Sequence, residues 1–104
     1  QHERDHALAA QLARGLAALD GSLVDPARVQ TNIVNCHVDR FARDAAGLRN
    51  ALRERGILVN SKRARIRFVT HRDVGDASVA AALAAFAEIL HDLRRAPPRE
   101  GVGP

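Results

Sequence analysis

The sequence predicts an α+β fold: a two-layer sandwich whose three-stranded, mainly antiparallel sheet is covered by helices on one face, in the order α-β-α-β-β-α. Three observations lead there. Apolar residues recur at spacings of three and four in three separate stretches, the period of a helix with one buried face. Two other stretches are rich in β-branched residues and alternate, the period of a strand. With 104 residues, 46% hydrophobic and 27% charged, the chain has the balance of one soluble domain. That domain is expected over residues 1–96, followed by a disordered tail over 97–104.

The elements follow in order. Leu8, Ala9, Leu12, Leu16 and Leu19 make one stripe of a helix from Asp5 to Leu19, which Asp20-Gly21 ends. Val24-Asp25-Pro26 is a turn, because proline disfavours helical geometry in the residue before it. Val29 to Val38 reads as a strand with two partly apolar faces, hence one inside the sheet. A second helix runs from Asp44 to Arg55, with Asp44 as N-cap, Gly56 as stop and a stripe of Ala45, Leu48, Ala51 and Leu52. Ile57 to Asn60 is a short strand, Ser61 to Ala64 a polar turn, and Arg65 to Thr70 the third strand. The last helix opens at Asp76 or Ser78 and buries Val79, Leu83, Phe86, Ile89, Leu90 and Leu93 until Pro97-Pro98 stops it. The sheet's second face has no helix of its own. It meets solvent or docks against something outside the chain.

Composition narrows the function. No apolar stretch approaches the ~18 residues of a membrane span. One cysteine, Cys36, excludes an internal disulfide and makes a structural zinc site unexpected. The net charge is +4, but every basic residue except Lys62 is an arginine, and most are interleaved with acids. Such scatter reads as a compositional preference rather than a nucleic-acid footprint. The three aromatics, all Phe, offer no platform for stacking bases. No metal site, membrane or nucleic-acid partner is expected.

The usual catalytic constellations are incomplete. His2 and His6 stand at i, i+4 without a third ligand, and adjacent Cys36 and His37 point to opposite faces of a strand. Lys62 lies in a polar turn where nothing desolvates it. The segment from Arg65 to Val74 is different. Arg65, Arg67 and Val69 share one strand face, with Ile66, Phe68 and Thr70 on the other. An arginine held amid apolar residues needs an anion, and its planar fork suits a carboxylate. The alternative is that Arg65 and Arg67 decorate a solvent-facing sheet and pair with Asp or Glu.

Several strings then match one family in order and spacing: Asp5-His6-Ala7, Leu12-Ala13-Arg14-Gly15-Leu16, Val24-Asp25-Pro26, Val29-Gln30-Thr31-Asn32-Ile33-Val34, Leu52-Arg53-Glu54-Arg55-Gly56-Ile57 and Arg67-Phe68-Val69-Thr70-His71-Arg72-Asp73-Val74. Across residues 5–93 the chain resembles the C-terminal small domain of low-specificity L-threonine aldolases, pyridoxal-phosphate enzymes of the aspartate-aminotransferase fold type. The Thr-Asn strand and the Arg-x-Val-Thr-His strand are the specific part. At Asn35-Cys36-His37 the chain departs from the family's more apolar residues.

The resemblance implies a cytoplasmic enzyme that cleaves L-threonine, L-allo-threonine or a related β-hydroxy-α-amino acid to glycine and an aldehyde. It implies a missing N-terminal large domain that holds pyridoxal 5'-phosphate and the catalytic residues, so the chain itself supplies none and is inactive alone. The start at Gln1 fits a piece of a longer protein. Arg67 takes the position of the substrate-carboxylate arginine, Arg72 is a second anion contact, and Thr70 and His71 support the strand end. The family assembles as homodimers or homotetramers. A reading from another class is a stand-alone amino-acid-binding regulatory domain on the same α+β sandwich.

Overall fold

The computed structural model describes residues 2–29, 32–70 and 75–95, with residues 2 and 3 as backbone only. The observed order is α-β-α-β-β-α, as the sequence predicts. The elements are α1 (His2–Leu19), a 3-10 turn (Pro26–Arg28), β1 (Ile33–His37), α2 (Ala46–Glu54), β2 (Asn60–Lys62), β3 (Arg65–Val69) and α3 (Asp76–Arg95). The sheet is antiparallel throughout, with spatial order β1-β3-β2. The segment expected as a tail lies outside the described residues.

Several boundaries and one position differ from the sequence reading: α1 opens at His2 rather than Asp5, and the strand expected over Val29–Val38 is confined to Ile33–His37, after a 3-10 turn at Pro26–Arg28. The strand expected over Ile57–Asn60 is instead Asn60–Lys62, and the polar turn shrinks from Ser61–Ala64 to the two residues Arg63 and Ala64. Arg63 holds φ at +54°, the left-handed region that favours glycine. Tertiary bonds fix this turn: the Arg63 carbonyl accepts from Ala45 N at 2.6 Å, and the Ala64 carbonyl accepts from Val38 N at 2.9 Å. Helix α2 starts at Ala46, whose N–H is capped by Asp44 Oδ1 at 2.8 Å. It ends as expected at Gly56, with φ at +83° and paired bonds from Gly56 N to Arg53 O and Ile57 N to Leu52 O.

The position that differs is β1, which is an edge strand rather than an interior one. Its mixed faces have another cause. One edge pairs with β3, and the opposite edge is partly shielded by the preceding loop, where Leu23 O accepts from His37 N at 2.7 Å.

One sheet face enters the core. Val34, Cys36, Ile66 and Phe68 are buried in one cluster with Leu8, Leu12 and Leu16 of α1, Leu48 and Leu52 of α2, and Val79, Phe86 and Leu90 of α3. The rings of Phe68 and Phe86 tilt together at 6.2 Å, joining the central strand to α3. The small residues Ala82 and Ala85 also belong to the core, whereas Leu93 is 37% exposed. Helices α1 and α3 meet at Gly15. A Cβ there would lie 2.7 Å from Leu83 Cδ2 and closer still to Cδ1. Gly15→Ala therefore trades a helix-propensity gain of about 1 kcal/mol against overpacking of about 1–3 kcal/mol. Net destabilisation is expected, and it should turn into a gain in a Leu83→Ala background. Denaturant unfolding of the four chains in a double-mutant cycle measures that coupling.

A polar clip closes the far end. Asp20 accepts from Ser22 Oγ at 2.6 Å and Ser22 N at 2.9 Å, and pairs with Arg40 at 3.3 Å and Arg94 at 3.0 Å. Both guanidinium groups lie over the Phe41 ring. The Ser22 bonds, then the two arginines, hold the Asp20 carboxyl down from 3.8 to about 2. A depressed carboxylate stabilises the fold above its unfolded value and loses that contribution as pH falls through the folded one. The melting-temperature advantage of the native chain over Asp20→Asn should thus hold at pH 5 and above, then shrink from pH 4 toward pH 2. A difference constant across that range would contradict the clip.

Candidate functional site

Among the described residues no helix covers the sheet's second face, and its side chains form rows across the strands. At one end Ile33 pairs with Val69. In the middle Arg67 of β3 stands between Asn35 of β1 and Asn60 of β2. At the hairpin end Arg65 stands between His37 and Lys62. The face thus grades from apolar through amide to cationic. Beside the apolar row, Leu58 and Val69 line one cleft. These two side chains are 84% and 45% exposed.

Arg67 occupies the centre of this open face. Alternation sends Ile66 and Phe68 into the core and Arg67 outward, so it is exposed rather than held among apolar groups. That corrects the premise of a desolvated guanidinium. The alternative pairing with Asp or Glu is not found either: among the described residues, neither Arg65 nor Arg67 makes an ion pair. Arg67 Nε donates to Asn35 Oδ1 at 3.3 Å, and among the described residues no ion pair engages its two terminal nitrogens. Asn35 also lines a cleft of about 360 Å³ with Ser22, Asp25, Arg28, Ile33 and His37.

Sequence reasoning gave Asn35 no role. The available signal was an amide in the middle of an alternating strand, but its partner depends on register, which the sequence does not state.

The two specific motifs meet in space. Thr70 N donates to Asn32 O at 2.9 Å, and Asn32 Nδ2 returns a bond to Thr70 O at 2.7 Å. The Thr70 hydroxyl donates to Asp5 O at 2.8 Å and lies 3.1 Å from Asn32 O. Thr70 is buried, 2% exposed, so these bonds replace the water it lost. The residue that follows β3 is therefore bonded to the residue before β1 and to α1. His71 and Arg72 lie outside the described residues, as does Thr31.

The remaining candidates separate. Cys36 is buried and its thiol is pushed up to about 12 by loss of solvent, which suits a packed side chain and not a nucleophile. His37 faces the other way and is exposed. Lys62 is exposed, on β2 rather than in the turn. Among the described residues, no helix is long and apolar enough to cross a membrane. No protein-family model matches the chain, and no curated protein matches it either.

Proposed function

We propose that this chain is the C-terminal small domain of a pyridoxal-phosphate-dependent, cytoplasmic threonine aldolase. In this reading it grips the α-carboxylate of a β-hydroxy-α-amino acid through Arg67. The observation that carries the reading is the placement of that guanidinium at the centre of the uncovered sheet face. It is tethered at Nε by Asn35, and no carboxylate of the described chain pairs with it. The interlock of Asn32 with Thr70 supports it, since the two strings specific to the family meet at the end of the same strand. Exposed Leu58 and Val69 beside the site suit a face covered by a further domain.

The described residues form no cradle around the one lysine of the sequence. The single lysine is exposed and stands across from Arg65, without the enclosure that a covalently bound carbonyl cofactor needs. Pyridoxal phosphate is therefore assigned to the large domain, where it supplies an electron sink for the pair released at Cα. This chain contributes orientation. Arg67 would hold the substrate carboxylate at two points and so fix the orientation of the amino acid around its Cα. Arg72 is proposed as a second anion contact, with His71 beside it as support. Assembly into homodimers or homotetramers belongs to the same proposal.

The complete reading frame containing this chain, purified with pyridoxal phosphate, should release glycine from L-threonine or L-allo-threonine. The chain of residues 1–104 mixed with the cofactor should give no stoichiometric visible absorbance band. A band abolished by Lys62→Ala would sink the assignment of the cofactor to another domain.

A second reading has one observation in its favour. The cleft beside Asn35 offers both a carboxylate, Asp25, and the cation Arg28, the pair a zwitterionic amino acid needs. Calorimetry of residues 1–104 with free amino acids separates the two. Tight binding by the chain alone selects a regulatory amino-acid-binding domain.

A further inference from the structure

We infer that the hairpin end of the open face is a binding site for a diphosphate group, free or carried by a nucleoside. His37, Arg65 and Lys62 stand directly opposite one another on three neighbouring strands. Strands lie ~4.8 Å apart, so the row places the Lys62 and Arg65 cations side by side. Such pairs destabilise a sheet, and opposite charges are the usual occupants of facing positions. Arg63 adds another guanidinium from the turn. It stands at a backbone φ of +54° that glycine holds with less strain. The Arg63 carbonyl is held by Ala45 N, whereas its guanidinium is in no ion pair among the described residues and stands on the cleft at the end of the row.

The four basic residues line one cleft of about 540 Å³ with Ala64 and a single acid, Asp39. Among the described residues none of the three permanent cations, Lys62, Arg63 and Arg65, is in an ion pair. The chain does pair its arginines elsewhere: Arg40 and Arg94 share Asp20, and Arg55 takes Glu88 at 2.7 Å. Arg67 in the next row is likewise outside these ion pairs, so what distinguishes this end is that its cations share one row and one cleft.

The geometry selects the class of anion. A carboxylate satisfies one position of the row. A diphosphate carries anionic oxygens on two linked phosphorus atoms and bridges neighbouring positions, with the arginine fork on one phosphate and the lysine point charge on the other. The turn is held rigidly for this task by the Arg63 and Ala64 carbonyls, which bond to the α2 entry and the residue after β1. The site is separate from the Arg67 row, and the inference does not rest on the aldolase reading.

Titration of the 104-residue chain with inorganic diphosphate in ~0.15 M salt tests it by calorimetry, with backbone amide shifts mapped in parallel. Saturable binding is expected, with the largest shifts at His37 and at residues 62–65. Lys62→Gln and Arg65→Gln should each weaken it about tenfold or more, whereas Arg14→Gln, an equal charge change on an exposed face of α1, should leave it within about twofold. The amide map of the unsubstituted chain decides the matter should a variant fail to fold. ADP binding like diphosphate, or more tightly, keeps the site and identifies a nucleoside-borne source; diphosphate binding better than ADP keeps it for the free anion. Non-saturable or unlocalised shifts, equal weakening by Arg14→Gln, or equal affinity for a hexaglutamate peptide would overturn it. Because Arg67→Ala should leave diphosphate binding intact while abolishing carboxylate grip, failure here and failure of the aldolase reading are distinguishable.

Discussion

Under the proposed aldolase function, replacing Arg67 with alanine in the complete protein should lower kcat/KM for β-hydroxy amino acids by about 10²–10⁴-fold, with the absorbance of bound pyridoxal phosphate unchanged. The magnitude follows from the bonds lost. A charged donor pair to a carboxylate contributes about 1.5–3 kcal/mol per bond, and each ~1.4 kcal/mol is a factor of ten. Loss should appear in kcat as well as KM, because a substrate held at one end only spends less time with its scissile bond aligned. Arg67→Lys should rescue little. A lysine has no second planar nitrogen and no Nε to donate to Asn35 Oδ1, so both the fork and its tether disappear. Asn35→Ala should give a smaller loss of the same kind. The measurement is steady-state glycine release beside a cofactor spectrum. An Arg67→Ala enzyme within threefold of the parent would end the assignment of this side chain.

The largest loss of stability is expected from Phe86→Ala. Phe86 is fully buried and touches Phe68, so its removal empties the contact between α3 and the central strand. Truncating a buried Phe costs about 3–5 kcal/mol, part of it the cavity left behind. For a domain of this size that is a fall of roughly 15 °C or more in Tm, and a third or more of a typical folding free energy. Phe86→Leu should cost about 1–1.5 kcal/mol, because most of the volume is kept. Phe41 is the control. Half-buried under Arg40 and Arg94, it should lose less than half as much on truncation. Equal losses at Phe41 and Phe86 would contradict the placement of the core. Thermal unfolding by circular dichroism reads all three.

Much of this was open to inspection in the chain itself. The stripes of α1, α2 and α3 were legible because helical periodicity is local, and Gly56 announced the end of α2 through a backbone conformation that few other residues accept. The misplacement of β2 has a clear cause. Ile57-Leu58-Val59 is the more β-prone string, yet Leu58 is 84% exposed and the strand forms at Asn60–Lys62. Strand position is set by the partner's register, and here by the carbonyl bonds that fix Arg63 and Ala64. Propensity is silent on both.

The same division holds at the site. Alternation in Arg65–Val69 told which side chains share a face, and the family-like strings singled out Arg67, Asn32 and Thr70. Nothing local could say that Asn32 and Thr70 are bonded to each other, that Asn35 holds the guanidinium, or that His37, Arg65 and Lys62 form a row. Those facts join residues up to 38 positions apart, through an antiparallel pairing in which the last-made strand lies between the other two. Periodicity is a property of neighbours along the chain and was therefore written in the sequence. Cross-strand company is fixed only when loops close and ladders choose their register, so it was decided by the folded sheet.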